Sequence, residues 1–158
     1  MERTSAKPTM REAGIVDVTF GKGVTVISPV NLYGCLIDEG CFSGPFVEIQ
    51  SGVVVGKRCR VQSHTFICEP VTIGEDCFIS HGAMFINDLF STGGPAKGRS
   101  DLWRSRKFDN GVSIGTNANI LPVSIWDRVV VGTGAVVTRD IIRAGVYAGN
   151  PARLLRHI

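Results

Sequence analysis

Long apolar runs, helical periodicity and strong net charge are all missing from this 158-residue chain, and each shortage removes a class of answer. No stretch is apolar for long enough to span a bilayer, and the polar, charged opening from Met1 to Ala13 has no apolar core of the secretory kind. The expectation is a cytoplasmic protein with no membrane partner. A formal charge of +3 from 17 basic and 14 acidic residues is too mild to demand nucleic acid. The local cluster Arg99, Arg104, Arg106 and Lys107 suits a small anion better. The five cysteines are odd in number and contain no Cys-x-x-Cys pair, which argues against a disulfide framework. Histidine is limited to His64, His81 and His157.

What the chain does have is a sixfold apolar ladder: Ile49, Val55, Val61, Ile67, Ile73, Ile79 and Phe85. The slots two residues earlier hold Val47, Val53, Cys59, Thr65, Val71, Cys77 and Ala83, all small or medium, and Gly56 and Gly74 follow ladder positions. Six fits neither the 3.6-residue helix nor an alternating hairpin sheet, so it predicts short strands separated by turns. Three hexads make one coil of a three-sided solenoid. On that count Ile37, Val55 and Ile73 share one face, Ser43, Val61 and Ile79 a second, and Ile49, Ile67 and Phe85 a third. Cys41, Cys59 and Cys77, 18 residues apart, stack as a file beside the core, where free cysteine serves as a small hydrophobe.

Length and pattern predict one domain: a lead-in over 1–14 and a single solenoid over 15–158, with coils beginning near Val18. The pattern stops over 87–110, a Gly-, Ser-, Arg- and Lys-rich insertion loop of the kind that carries function. Hexads resume at Ile114, Ile120, Ile125, Val131 and Val137, with a five-residue step at Pro122. A short C-terminal segment around Leu154, Leu155 and Ile158 is expected to cover the open end of the coils.

Tyr33-Gly34-Cys35, Gly44-Pro45-Phe46-Val47-Glu48-Ile49, Gln62-Ser63-His64, Phe85-Ile86-Asn87-Asp88, the run Val131 to Asp140, and Gly149-Asn150-Pro151-Ala152-Arg153 resemble the hexapeptide-repeat acyltransferases. The resemblance covers nearly the whole chain after the lead-in. It implies an all-β, left-handed parallel β-helix, and a homotrimer whose sites lie between subunits. It is similar to the branch that uses acetyl-CoA to N-acetylate nucleotide-linked amino sugars, precursors of cell-surface polysaccharide. Left-handedness comes from the resemblance alone, since parallel crossovers are ordinarily right-handed.

Acetyl transfer to an amine needs a neutral nucleophile, a thioester held against it and donors for the developing oxyanion. Histidine is the natural base near neutral pH. Ile79-Ser80-His81 resembles the aliphatic-Asn-His site of sugar acetyltransferases, which makes His81 the candidate base. His64, one coil earlier, is expected to orient His81 or touch substrate. The resemblance places Asn87 at the sugar site, with Asp88 beside it. His81 and Asn87 lie six extended residues apart, roughly 20 Å, so they can share a site only across a subunit interface. Trp103 and Arg104, with Arg99 and Arg106, are offered to a nucleotide diphosphate. For acetyl-CoA the resemblance points to Ala118, Gly134 and Ala135 along the pantetheine arm and to Arg139 and Arg153 at the phosphates. Competing readings are an O-acetyltransferase on a sugar or antibiotic hydroxyl, a carbonic-anhydrase-type β-helix and a non-catalytic scaffold. The carbonic-anhydrase type would need three converging histidines, and no histidine lies between His81 and His157, so no metal is expected.

Overall fold

The computed structural model describes residues 7–10, 12–99, 101, 103 and 105–158. Strands of two to four residues wind into a parallel β-helix with three faces. Face A has seven strands, from Ile15–Val16 through Glu48–Ile49, Phe66–Ile67 and Met84–Phe85 to Val136–Val137. Face B runs from Thr19–Phe20 through Val54–Val55 and Val71–Ile73 to Arg106–Phe108. Face C runs from Thr25–Val26 through Arg60–Val61 and Phe78–Ile79 to Gly145–Ala148.

The stacking follows the 18-residue count. Phe66 pairs with Glu48 and Met84, Ile73 with Val55, and Ile79 with Val61, so the three sets of ladder residues fall on the three faces as the spacing predicts. Their side chains fill the interior: Leu32, Ile49, Ile67, Ile73, Ile79, Phe85, Ile114 and Ile120 are all under 2% exposed. The alternation is the ordinary consequence of a two-residue strand with one side chain in and one out.

The thiols of Cys41, Cys59 and Cys77 stack as expected and each donates to a carbonyl in the next coil: Gly56 at 3.0 Å, Gly74 at 3.0 Å and Asp109 at 3.2 Å. The neighbouring thiols of Cys41 and Cys77, with burial, push the Cys59 thiol up. All three are buried with their donors satisfied, so the file packs the core.

One boundary moves. Arg106–Phe108 pairs in register with Val71–Ile73, so the excursion assigned to 87–110 rejoins the helix at Arg106. Phe108 is fully buried and meets Phe85 edge-on at 5.3 Å. Arg106 obscured this coil because it puts a charge in the slot stacked on Val71. At the other end the tail does cover an edge: Arg153–Arg156 pairs antiparallel with Gly145–Ala148 and closes face C.

At the corner joining faces B and C, Arg58 reaches one coil on. Its Nε and Nη2 donate to Asp76 at 2.8 Å each, and Nη2 donates to Glu75 at 2.7 Å. The Arg58 guanidinium holds the Asp76 carboxyl below its ordinary range. A carboxylate depressed in the folded state contributes stability that is fully present above its unfolded pKa and is lost as pH falls through the folded value. The melting-temperature gap between the wild type and Arg58→Ala is therefore expected to be constant near neutrality and to close below about pH 4. The gap itself is small, since the pair is exposed.

Candidate active site

His81 sits on the corner joining face C to face A, two residues after Ile79, with its side chain exposed. One coil earlier Ser63 occupies the stacked position, and its hydroxyl lies 2.8 Å from His81 Nδ1. The backbone locks that approach, because Gly82 N–H donates to the Ser63 carbonyl at 3.0 Å. Beneath, Ser80 and Thr116 hydroxyls bond at 2.8 Å, and Thr65 donates to the Ser80 carbonyl at 3.1 Å. The imidazole therefore stands on a hydrogen-bonded strut of three coils, with Nδ1 engaged and Nε2 without a hydrogen-bond partner among the described residues. When Nδ1 is the protonated nitrogen and donates to Ser63, Nε2 carries the free lone pair that a general base needs.

Ser63, and not His64, is the side chain that meets His81. His64 turns away and stacks on Phe46, ring centroids 4.8 Å apart. The 18-residue spacing pointed to this contact, since Ser63 and His81 differ by one coil, yet it did not say which of two adjacent side chains would lean.

Asn87 lies at the far end of the strand that begins after His81, on the corner between faces A and B, so the two are on different corners of one chain. Its Nδ2 donates to the Glu69 carbonyl at 2.9 Å. Asp88 is committed to the loop: its carboxylate accepts from Phe90 N–H at 2.8 Å and Ala96 N–H at 2.6 Å. It acts as a loop staple more than a substrate contact. Trp103 is half-buried in the loop, and Arg104 lies outside the described residues. Arg99 is paired with Asp101 at 2.7 Å.

Arg106 is a correction. It is 3% exposed, its Nη1 lies 3.3 Å from Cys68 Sγ, its Nη2 donates to the Ile86 carbonyl, and its Nε has no partner among the described residues. A guanidinium buried this way cannot meet a diphosphate. It ties the last residue before the loop to the first residue after it, a role that spacing alone did not reveal.

Of the expected acetyl-CoA residues, Ala118 and Ala135 are wholly buried at the small corner slot below Ala83, so their side chains pack the core and do not line a cleft in this chain. Gly134 is exposed on the same corner as His81, with its N–H donating to the Thr116 carbonyl at 2.8 Å. Arg139 and Arg153 come together: both line one hollow of about 200 Å³ with Tyr147 and Asp140. Neither guanidinium is in an ion pair among the described residues. Two cations on one concave surface fit a phosphate group. Among the described residues no three His, Cys, Asp or Glu side chains converge as metal ligands, and no helix is long and apolar enough to cross a membrane.

No family model matches the sequence. The bifunctional protein GlmU of Rubrobacter xylanophilus is 30% identical over 124 residues, 78% of this chain and 24% of the relative. Among solved structures, the hexapeptide-repeat-containing acetyltransferase VCA0836 of Vibrio cholerae, complexed with acetyl-CoA, is 25% identical. It covers 70% of this chain and 63% of its own, with a TM-score of 0.57. The chain has the fold of the hexapeptide-repeat acetyltransferases. That fold is the left-handed parallel β-helix, so the handedness expected from the resemblance holds. A point mutant of AntD of Bacillus cereus, an N-acyltransferase, solved with dTDP and coenzyme A, shares the fold at 18% identity over 92% of this chain and 84% of its own, with a TM-score of 0.59. A second point mutant of AntD holds dTDP-4-amino-4,6-dideoxyglucose and coenzyme A, with 20% identity, 92% and 84% coverage and a TM-score of 0.50. The chain spans about a quarter to a third of the length of the curated GlmU relatives it matches.

Proposed function

We propose that this chain is an acetyl-CoA-dependent acyltransferase that N-acetylates an amino sugar carried on a nucleotide diphosphate, working in the cytoplasm as a homotrimer with its sites between subunits. The observation that carries this reading is the Ser63–His81 hydrogen bond on an exposed corner of an acetyltransferase fold. AntD, with an amino sugar nucleotide and coenzyme A bound, supports the acceptor class.

Acetyl-CoA supplies the acyl group as a thioester. His81 Nε2 takes the proton that the acceptor amine sheds as its nitrogen bonds to the acyl carbon, and returns it to the departing thiolate sulfur, so the imidazole ends as it began. Ser63 holds Nδ1–H and stabilises the transient imidazolium. The developing oxyanion calls for N–H donors, and those of Gly82 and Gly134 are not among them, since both are bonded to carbonyls of the preceding coil. Arg139 and Arg153 hold the phosphate end of the donor. Asn87 of a neighbouring copy positions the sugar, because a strand of face A separates it from His81 within one chain. A closed threefold ring of heterologous contacts gives three equivalent clefts of this kind.

Thiol release from acetyl-CoA across a panel of nucleotide-linked amino sugars tests the reading. Release with at least one member, and none with its deaminated counterpart, is the expected result. Release with neutral sugars alone moves the acceptor to a hydroxyl, and no release with any acceptor contradicts the proposal. Within that assay Ser63→Ala is expected to lower kcat about tenfold, short of the roughly 10²–10⁴-fold that the acid–base group itself supplies, while Ser63→Thr keeps most of the rate. Equal rates for Ser63→Ala and the wild type would show the hydrogen bond to be incidental.

A further inference from the structure

The corner joining faces C and A passes through one left-handed backbone position in coil after coil. Phe46, His64 and Gly82, spaced by 18, have φ of 60°, 63° and 65°, and Asn117 and Gly134 continue the row at 56° and 68°. A side chain crowds the backbone in this conformation, which is why glycine and asparagine are the usual occupants. From His81 downward the row obeys that preference. In the two coils before it the row carries aromatic rings instead.

These rings are not core residues. Phe46 is 57% exposed and His64 is also exposed; they lie on each other at 4.8 Å with planes 32° apart. Phe46 also borders a hollow of about 280 Å³ whose other walls include the apolar Val30 and Val47 and the polar Asn31 and Glu48. The stack begins beside Ser63, which touches His81, so it ends about one coil rise, roughly 4.8 Å, from the imidazole and extends two rises away. Two large rings in a strained position, an apolar wall and a pair of hydrogen-bonding groups thus share one side of His81, and the Gly134 lane lies on the other.

We propose that Phe46 and His64 form an aromatic shelf that seats the apolar face of the acceptor's pyranose ring, with Asn31 and Glu48 taking its hydroxyl groups and the amine presented over the lip to His81. A pyranose has C–H bonds on its faces and hydroxyls around its edge, which matches a flat apolar surface with polar groups at one side. The proposal deepens the transfer reading and rests on it for the direction of the amine.

A packing explanation competes. At another corner Arg58 and Asp76, also left-handed, are held together by their ion pair, and the Phe46–His64 stack could serve the fold in the same way. The two explanations differ in sign at one substitution. Phe46→Gly relieves the backbone, so a ligand shelf is expected to leave the melting temperature unchanged or raised. It is also expected to raise KM for the amino-sugar acceptor tenfold or more, with KM for acetyl-CoA unmoved and kcat little changed; Phe46→Tyr restores the acceptor KM. In saturation-transfer NMR the wild type is expected to pass magnetisation to the ring protons of free glucosamine or galactosamine, and Phe46→Gly to lose that transfer. Ring-proton transfer without thiol release would remove the transfer reading and leave the shelf. A Phe46→Gly protein that melts lower while its acceptor binding is unchanged overturns the shelf, and so does a wild type that passes no magnetisation to either sugar.

Discussion

His81→Ala is expected to lower acetyl transfer by about 10²–10⁴-fold, the range that a positioned general acid–base group supplies. The loss should fall on kcat, since the imidazole moves a proton during reaction and adds little to holding either substrate. Folding is expected to be unaffected, because His81 is exposed and the one hydrogen bond of its side chain among the described residues is to the Ser63 hydroxyl. Steady-state kinetics of both proteins against pH, with melting curves as control, decide the matter. An unchanged rate at every pH would remove His81 as the base and leave the amine to lose its proton to solvent.

Gly56→Ala is expected to be severely damaging, as are Gly21→Ala and Gly115→Ala, whose added Cβ would meet the backbone of the next coil at least as closely. A Cβ at Gly56 would stand 2.6 Å from the Gly74 carbonyl oxygen, 2.7 Å from its carbon and 3.0 Å from the Ile73 oxygen, all backbone atoms of the next coil. Those atoms cannot swing aside. The Gly56 N–H donates to Ile73 at 2.8 Å, the Gly56 carbonyl accepts from Cys41, and the Gly74 carbonyl accepts from Cys59. Prying the coils apart breaks several of these at once, so the cost should reach or pass about 3 kcal/mol, the upper end for overpacking. For a chain of this size that is roughly a 10 °C drop in melting temperature. Gly14→Ala is the control, since nothing lies within 4 Å of its added methyl, and it should melt with the wild type. A Gly56→Ala protein that melts within a degree or two of the wild type would mean that the coil spacing is softer than the backbone contacts require.

The fold was legible because a three-sided coil converts spacing into position. Counting by 18 placed Val55 under Ile73 and Val61 under Ile79 with no knowledge of turns. The count failed where charge occupied an apolar slot. One hexad before Ile114 is Phe108, a core residue, yet Arg106 two positions earlier made the coil read as loop. The site was legible to the level of the coil and no finer. Spacing brought Ser63 and His64 to the coil next to His81, but the left-handed backbone at His64 carries its ring to Phe46 and leaves the serine facing the imidazole. The shared hollow of Arg139 and Arg153 was beyond any repeat, because Arg153 arrives on an antiparallel strand that breaks the period.

His81 and Asn87 sit on different corners of one chain, and a common reaction centre therefore requires two copies. Mixed assembly measures this directly. His81→Ala and Asn87→Ala proteins, each inactive alone, are unfolded together in equal amounts, refolded and assayed for thiol release. If each site takes His81 from one subunit and Asn87 from its neighbour, random reassortment in a closed ring restores roughly one quarter of the wild-type activity. Activity no higher than that of the separate variants would contradict a site built between subunits.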